Sequence, residues 1–312
     1  MKIAPLLCGI ALASLVPISL VAKIERTVEK TFMVTPGGTL RVETEGGSIR
    51  VQSSPDSMVK ITAMQRIRAG TESEADEILK KLALTFDAQG SEVSASAKYE
   101  RPVTGVRWGR IPVEVDFVVT VPSKFSAKLK TSGGAIVVGD LDGAVEARTS
   151  GGDVKLGTIT GVVDAHTSGG NVALEAGGAA VTLNTSGGDV SAKRLTGPAV
   201  LRTSGGNIKA SQVEHTLEAK TSGGNVTVQF AGALRGDCEL GTSGGNVKVT
   251  VEPATGFQLD ASTSGGDVEA SGLTITIASG GLKKSRLSGA VNGGGPRLKL
   301  RSSGGDIVVG PR

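Results

Sequence analysis

The sequence predicts a mainly β fold: a parallel, right-handed β-solenoid with 18–21 residues per coil, preceded by an N-terminal α+β cap that contains one helix. Three observations carry this. The tetrapeptide Thr-Ser-Gly-Gly, followed by Asn, Asp or Ala and then Val or Ile, starts at Thr131, Thr149, Thr167, Thr185, Thr203 and Thr221, a step of 18 residues each time. Two steps of 21 follow, to Thr242 and Thr263, and Ser302-Ser303-Gly304-Gly305-Asp306-Ile307 is a closing variant. Within each repeat two short runs alternate between apolar and polar residues, such as Val154/Leu156 and Val163/Ala165, which is the signature of half-buried strands. Finally, aromatics are 3% of the 312 residues while Gly numbers 46, a composition suited to thin stacked strands rather than to a globular core.

Residues 1–22 come first. Lys2 supplies a positive start, and residues 3–22 are apolar or small, broken by Pro5 and Pro17. This reads as a secretory signal peptide cleaved after Ala22, with an uncleaved membrane anchor as the alternative. Leu7 before Cys8 argues against lipidation there. With the leader removed, Cys238 is the one cysteine left, so stability is expected from stacking and not from an intrachain disulfide.

Residues 23–126 lack the strict period and are assigned to a cap continuous with the solenoid. Phe32, Phe86, Tyr99, Trp108, Phe117 and Phe125 lie in it. Strands are expected at 39–43, 48–51, 58–63 and 113–121, and Thr44-Glu45-Gly46-Gly47-Ser48-Ile49 is a degenerate repeat. A helix is expected over 72–84, with Glu72, Glu74, Asp76 and Glu77 early, Lys80 and Lys81 late, and an apolar stripe of Ala75, Ile78, Leu79 and Leu82.

The repeats occupy 127–312. One repeat makes one coil of two strands, and each coil buries its apolar face only against its neighbours. The Gly-Gly pair is expected to supply the positive φ of a sharp corner, and Gly143, Gly161 and Gly197 a second turn. The 21-residue steps read as coils with a three-residue bulge near 236–239 and 256–259. Stacking puts Asp153, Asn171, Asp189, Asn207, Asn225, Asn246 and Asp267 in one column at the corner, with no two Asp adjacent in sequence order. A hydrogen-bonded corner is the expected role. Calcium-binding rolls place two glycine-rich nonapeptides in 18 residues, which this pattern does not match.

The outer face of the second strand carries Glu146, Asp164 and Glu218 in one column, and Arg148, His166, Arg202 and Lys220 in the next. They read as mutually compensating ladders that keep the sheet soluble, or as a strip that meets a polymeric partner.

The motifs resemble a known family. Pro36-Gly37-Gly38-Thr39-Leu40, the run Glu45 to Val51, the helix at 72–84, Val119-Thr120-Val121-Pro122, the repeats, and Val291-Asn292-Gly293-Gly294-Gly295 before Arg301 to Ile307 together resemble the bacterial putative-adhesin family of β-strand-repeat envelope proteins. The resemblance implies a right-handed β-solenoid in the bacterial envelope and brings no catalytic or ligand residue with it.

The chain offers little chemistry of its own. Gly241-Thr242-Ser243-Gly244-Gly245 fits the G-x-S-x-G pattern, but it is one copy of a repeat and lacks the strand-to-helix context. His166 and His215 stand at different repeat positions and no Cys or His pair has metal spacing. No catalytic, cofactor-binding or metal residue is assigned. The net charge of +4, from 34 basic and 30 acidic residues, forms no basic stripe and argues against nucleic acid. The expectation is therefore a non-enzymatic, exported scaffold of the periplasm, outer surface or medium that binds a surface glycan or an envelope protein. Membrane contact would run through an uncleaved leader. The alternatives are an envelope regulatory or sensory module that binds a partner protein, and a polysaccharide-acting β-helix enzyme.

Overall fold

In the computed structural model, which describes residues 23–100 and 111–312, two long sheets lie face to face along their whole length. Residues 1–22, read from the sequence as a leader and including Cys8, and Trp108 lie outside the described residues. One sheet has 13 strands and the other 14. Each repeat sends its first run, such as Val154–Ile159, to the first sheet and its second, such as Val163–His166, to the other. Successive repeats pair in parallel: Val154 faces Val172, Val172 faces Val190, and Val190 faces Ile208. The inward columns are buried Val, Ile, Leu and Ala, each fully buried Val or Leu worth about 1.5–3 kcal/mol. Phe117, Phe125, Phe230 and Phe257 are fully buried among them.

The first sheet begins with the antiparallel pair Lys23–Met33 and Met58–Arg68, and the second with the antiparallel pair Leu82–Gln89 and Glu92–Tyr99. Between them lies one helix, α1 (Glu72–Leu79), capped by the Thr71 hydroxyl, which accepts from the Glu74 amide. Here α1 is shorter than the sequence suggests. Leu82, Leu84 and Phe86 alternate with period two and pair with Tyr99, Ala97 and Ala95, so pairing overrides the helical reading of 80–84.

Both ends are interleaved. Residues 38–54 form a full coil whose neighbours come much later in the chain. Gly38–Thr44 lies between Glu92–Tyr99 and Phe125–Thr131, and Ile49–Ser54 lies between Val113–Pro122 and Ile136–Val138. The sheets thus run on across 126/127 without a break. At the far end, Arg297–Ser302 and Ile307–Pro311 insert between the coil of Cys238–Thr242 and Val247–Val251 and the coil of Phe257–Thr263 and Val268–Ala270. The step from Thr242 to Thr263 is therefore not a direct stacking of one repeat on the next, as the period suggests. Charge favours the insertion. Direct stacking would set Asp260 beside Glu239, whereas Lys299 now separates them in register. The hairpin of Ile275–Lys283 and Arg286–Val291 extends the second sheet beyond Phe257–Thr263 and forms its edge.

The Gly-Gly corners also differ from expectation. No glycine of these pairs has a positive φ. Their need for Gly comes from close approach between coils. A Cβ on Gly188 would lie 2.1 Å from the Gly170 carbonyl oxygen, and one on Gly170 equally far from that of Gly152. The first Gly of each pair is roomier, since a Cβ on Gly187 would meet Gly169 oxygen at 3.5 Å. Gly188→Ala is therefore expected to lower the unfolding free energy by about 1–3 kcal/mol, and Gly187→Ala to stay within about 0.5 kcal/mol of the parent. Urea titration of the two variants checks this. Equal effects would mean that coil spacing does not set the requirement.

Candidate functional site

At each corner a buried hydroxyl ties one coil to the last. Thr185 Oγ1 donates to the Gly170 carbonyl at 2.8 Å and accepts from its own Gly188 amide at 3.4 Å. The same contact recurs from Thr131 to Gly47, Thr167 to Gly152, Thr203 to Gly188, Thr221 to Gly206 and Thr242 to Gly224. It continues through the inserted coil, from Ser302 to Gly245 and from Thr263 to Gly305. These hydroxyls were not singled out from the sequence, although Thr opening every repeat was the signal.

The Asx column runs beside them on the surface. Asp153 Oδ1 accepts from the Asn171 amide at 2.8 Å, and Asn171 Oδ1 from the Asp189 amide at 2.8 Å. Asp189, Asn207 and Asn225 repeat this toward Asn207, Asn225 and Asn246. An acceptor is all the position requires, which is why Asn and Asp alternate freely. The side-chain amides of Asn171 and Asn207 also donate to the preceding Asp at 3.4 and 3.3 Å. One expectation fails. Asp306 enters the column between Asn246 and Asp267, so two Asp are adjacent after all. Lys284, 3.2 Å from Asp267, offsets their repulsion.

The second sheet's outer face brings the predicted strip together as ion networks. Glu146 and Asp164 are neighbours in register, and Arg148 clamps both, at 2.9 and 2.7 Å. His166 Nε2 lies 2.5 Å from Asp164. Further along, Glu218 and Glu239 are neighbours. Lys220 reaches both at 3.2 Å, Arg202 holds Glu218 at 2.7 Å, and Lys299 holds Glu239 at 3.0 Å. The pattern is two stacked carboxylates straddled by a cation from the adjacent column. Glu43 shows the reverse arrangement, one carboxylate held by Lys98 and Lys130, and Arg301 binds Asp260 at 2.7 Å. Sequence reasoning missed Glu239 because the three-residue insertion shifts its repeat position, and missed Lys299 and Arg301 because their coil is out of order.

Between the two larger networks the columns carry Thr182, Asn184 and Val200, which are uncharged. An open depression of about 800 Å3 lies over the second network, lined by Asn184, Arg202, Glu218, Lys220, Gly241 and Arg301. Among the described residues no three His, Cys, Asp or Glu side chains converge as a metal site. Cys238 is buried, and that burial pushes its thiol pKa up.

The profile of the Toastrack DUF4097 family matches residues 39–310. The chain belongs to the Toastrack DUF4097 family. It matches no curated protein. Among solved structures it is similar to a putative adhesin of Bacteroides fragilis, with 13% identity, 91% of this chain and 97% of that one covered, and a TM-score of 0.44. A putative lipid binding protein of Parabacteroides distasonis gives 11% identity, coverages of 91% and 96%, and a TM-score of 0.42. A putative adhesin of Parabacteroides merdae gives 11% identity, coverages of 91% and 96%, and a TM-score of 0.33. These are loose likenesses, and the Toastrack assignment stands on the family profile.

The ion networks set a pH dependence. The Arg148 hydrogen bond holds Glu146 below its ordinary pKa against burial, and Lys299 does the same for Glu239. Burial alone would raise Glu218, but Arg202 and Lys220 outweigh it and the net shift is downward. Lys220 is raised, because Glu218 and Glu239 outweigh its own burial. Lowered carboxylates add stability that is present above their unfolded pKa and lost as pH falls through their folded values. The raised Lys adds stability present below its unfolded pKa and lost as pH climbs through its folded value. Stability is thus expected to hold across neutral pH, to decline below about pH 4, and to decline again above about pH 10. Because the groups are largely exposed, ~1 M salt should flatten both limbs. Denaturant midpoints across pH at two salt concentrations check this; limbs indifferent to salt would count against the networks as their source.

Proposed function

We propose that this Toastrack protein is a non-enzymatic surface-interaction scaffold of the bacterial envelope, and that it presents the second sheet's charged face to a surface glycan or an envelope protein. One observation carries the reading. Along that face parallel pairing spaces the coils at about 4.8 Å, and two charged stretches, Lys130 to Asp164 and Arg202 to Arg301, stand on it with uncharged Thr182 and Asn184 between them. Such a ruler of repeated polar groups suits an extended ligand that repeats polar groups of its own. Export to the envelope is inferred from the apolar leader.

The same face gives little support to the polysaccharide-acting enzyme in its hydrolytic form. Carboxylates that work as acid and base need a raised or free member of the pair. Here Glu146, Glu218 and Glu239 are each bound to cations and shifted down. Phe230 and Phe257 are 1% and 0% exposed, so neither offers a ring for sugar stacking.

Replacing Arg148, Arg202 and Lys220 together by Gln should lower binding to a glycan array or to intact cells at least about 10-fold, a change of about 1.4 kcal/mol, while circular dichroism stays that of the parent. Unchanged binding by the folded triple variant would remove the strip from the account.

A further inference from the structure

The coil of residues 297–311 is inserted between two coils that follow each other in sequence. We propose that the slot between the coil of 238–251 and the coil of 257–270 is a strand-acceptor site that also takes residues 297–311 of a second copy of this chain, joining two copies by coil exchange. This does not depend on the adhesive reading of the charged face.

The first argument is recognition. Everything the slot uses to hold the coil is a strand-edge or side-chain contact, indifferent to which chain supplies it. Cys238, Leu240 and Thr242 pair with Leu298, Leu300 and Ser302 on one side, and Leu259, Ala261 and Thr263 pair with the same three on the other. Leu298, Leu300, Ile307 and Val309 are all 0% exposed. Charge selects this segment. Lys299 sits on Glu239, Arg301 on Asp260, and Arg312 near Glu252 at 3.4 Å. No other repeat coil carries a basic residue at both the Lys299 and Arg301 positions except 125–138, with Lys128 and Lys130, which is already paired on both sides.

The second argument is the tether. Within the fold the coil reaches its slot only through Asn292-Gly293-Gly294-Gly295-Pro296. Asn292, Gly293, Gly294 and Gly295 have φ of 46, 87, 90 and 151°. This is the longest run of positive φ among the described residues, and three glycines let it adopt other paths at little cost. Asn292 fixes the present path by donating to the Pro253 and Thr255 carbonyls at 2.9 and 3.0 Å. A short hinge with an identical element beyond it is the arrangement from which copies exchange parts.

The third argument is that the vacated slot can close. The flanking coils carry the same corner chemistry, so with 297–311 withdrawn Thr263 can donate to Gly245 as Thr242 does to Gly224. Withdrawal thus does not strand the buried hydroxyls; it exposes Leu298, Leu300, Ile307 and Val309 and sets Asp260 beside Glu239. Insertion of a second copy's coil reverses both as well as the first copy's own does.

The test uses full-length chains with Cys8→Ser and Cys238→Ala. Lys248 and Val308 are partners in register, in parallel strands about 4.8 Å apart, a separation a disulfide spans. A Lys248→Cys chain and a Val308→Cys chain are refolded together from urea, oxidised, and the bonds mapped by mass spectrometry. A chain carrying both changes is the control and should close its bond internally. The expected result is a 248–308 bond between different chains in a species of twice the chain mass, rising with protein concentration. Deleting Gly293–Gly295, which leaves the tether too short to fold back, should raise the linked fraction several-fold. A control that closes internally while mixed chains give no mapped 248–308 bond would overturn the proposal. A control that fails to close would overturn the register beneath it.

Discussion

The structure rests on one contact: a threonine hydroxyl reaching the second glycine carbonyl of the coil below. That carbonyl is reachable because the glycine stacked over it has no side chain. A Cβ there would stand about 2 Å from the oxygen, so the corner admits only glycine, and the coils close to strand spacing. Only at that spacing do the inward Val, Leu and Ile columns meet without gaps, and only then do the outer columns bring Arg148 and Lys220 within reach of carboxylates on two coils at once. Core, corner and charged face are thus three results of one distance.

Much of the fold was legible in the sequence. A fixed step of 18 residues implies a stack, because a coil two strands wide cannot cover its own apolar side. Period-two alternation located both strands of each repeat to within a residue or two. What was not legible is the order of the coils at the ends. The segment at 44–49 and that at 302–307 carry the repeat signature, and a signature states what a coil can stack on, not which copy it meets. The choice is made by long-range partners: Thr44 against Val115, Ser48 against Asp116, and Lys299 between Glu239 and Asp260. The helix was overextended for a related reason. Leu82 satisfies a helical and a strand period alike, and the pairing with Tyr99 decides.

Of the charged face, the sequence showed the two columns but not the clamps. Reading position by position suggests rows of one sign. Stacking reveals acid–acid neighbours at 146/164 and 218/239, each bridged from the adjacent row. The three-residue insertion before Cys238 concealed Glu239, and the interleaving concealed Lys299. The buried Thr column was visible but easily passed over, since a Thr beside a turn is ordinarily a surface residue.

Interleaving also changes what holds the ends. The coil of 38–54 has neighbours on both sides, and so does the coil of 297–311, while the sheets end beyond them in antiparallel strands at three edges and in the short parallel strand Val268–Ala270 at the fourth. Amide hydrogen exchange measured coil by coil tests this most directly. The account predicts that amides of 298–302 and 307–310 are as strongly protected as those of 199–202 and 208–213, and far more than those of the edge strands at 23–33 and 268–270. If residues 297–311 exchange as fast as those edges, the coil does not lie within the stack and the account fails.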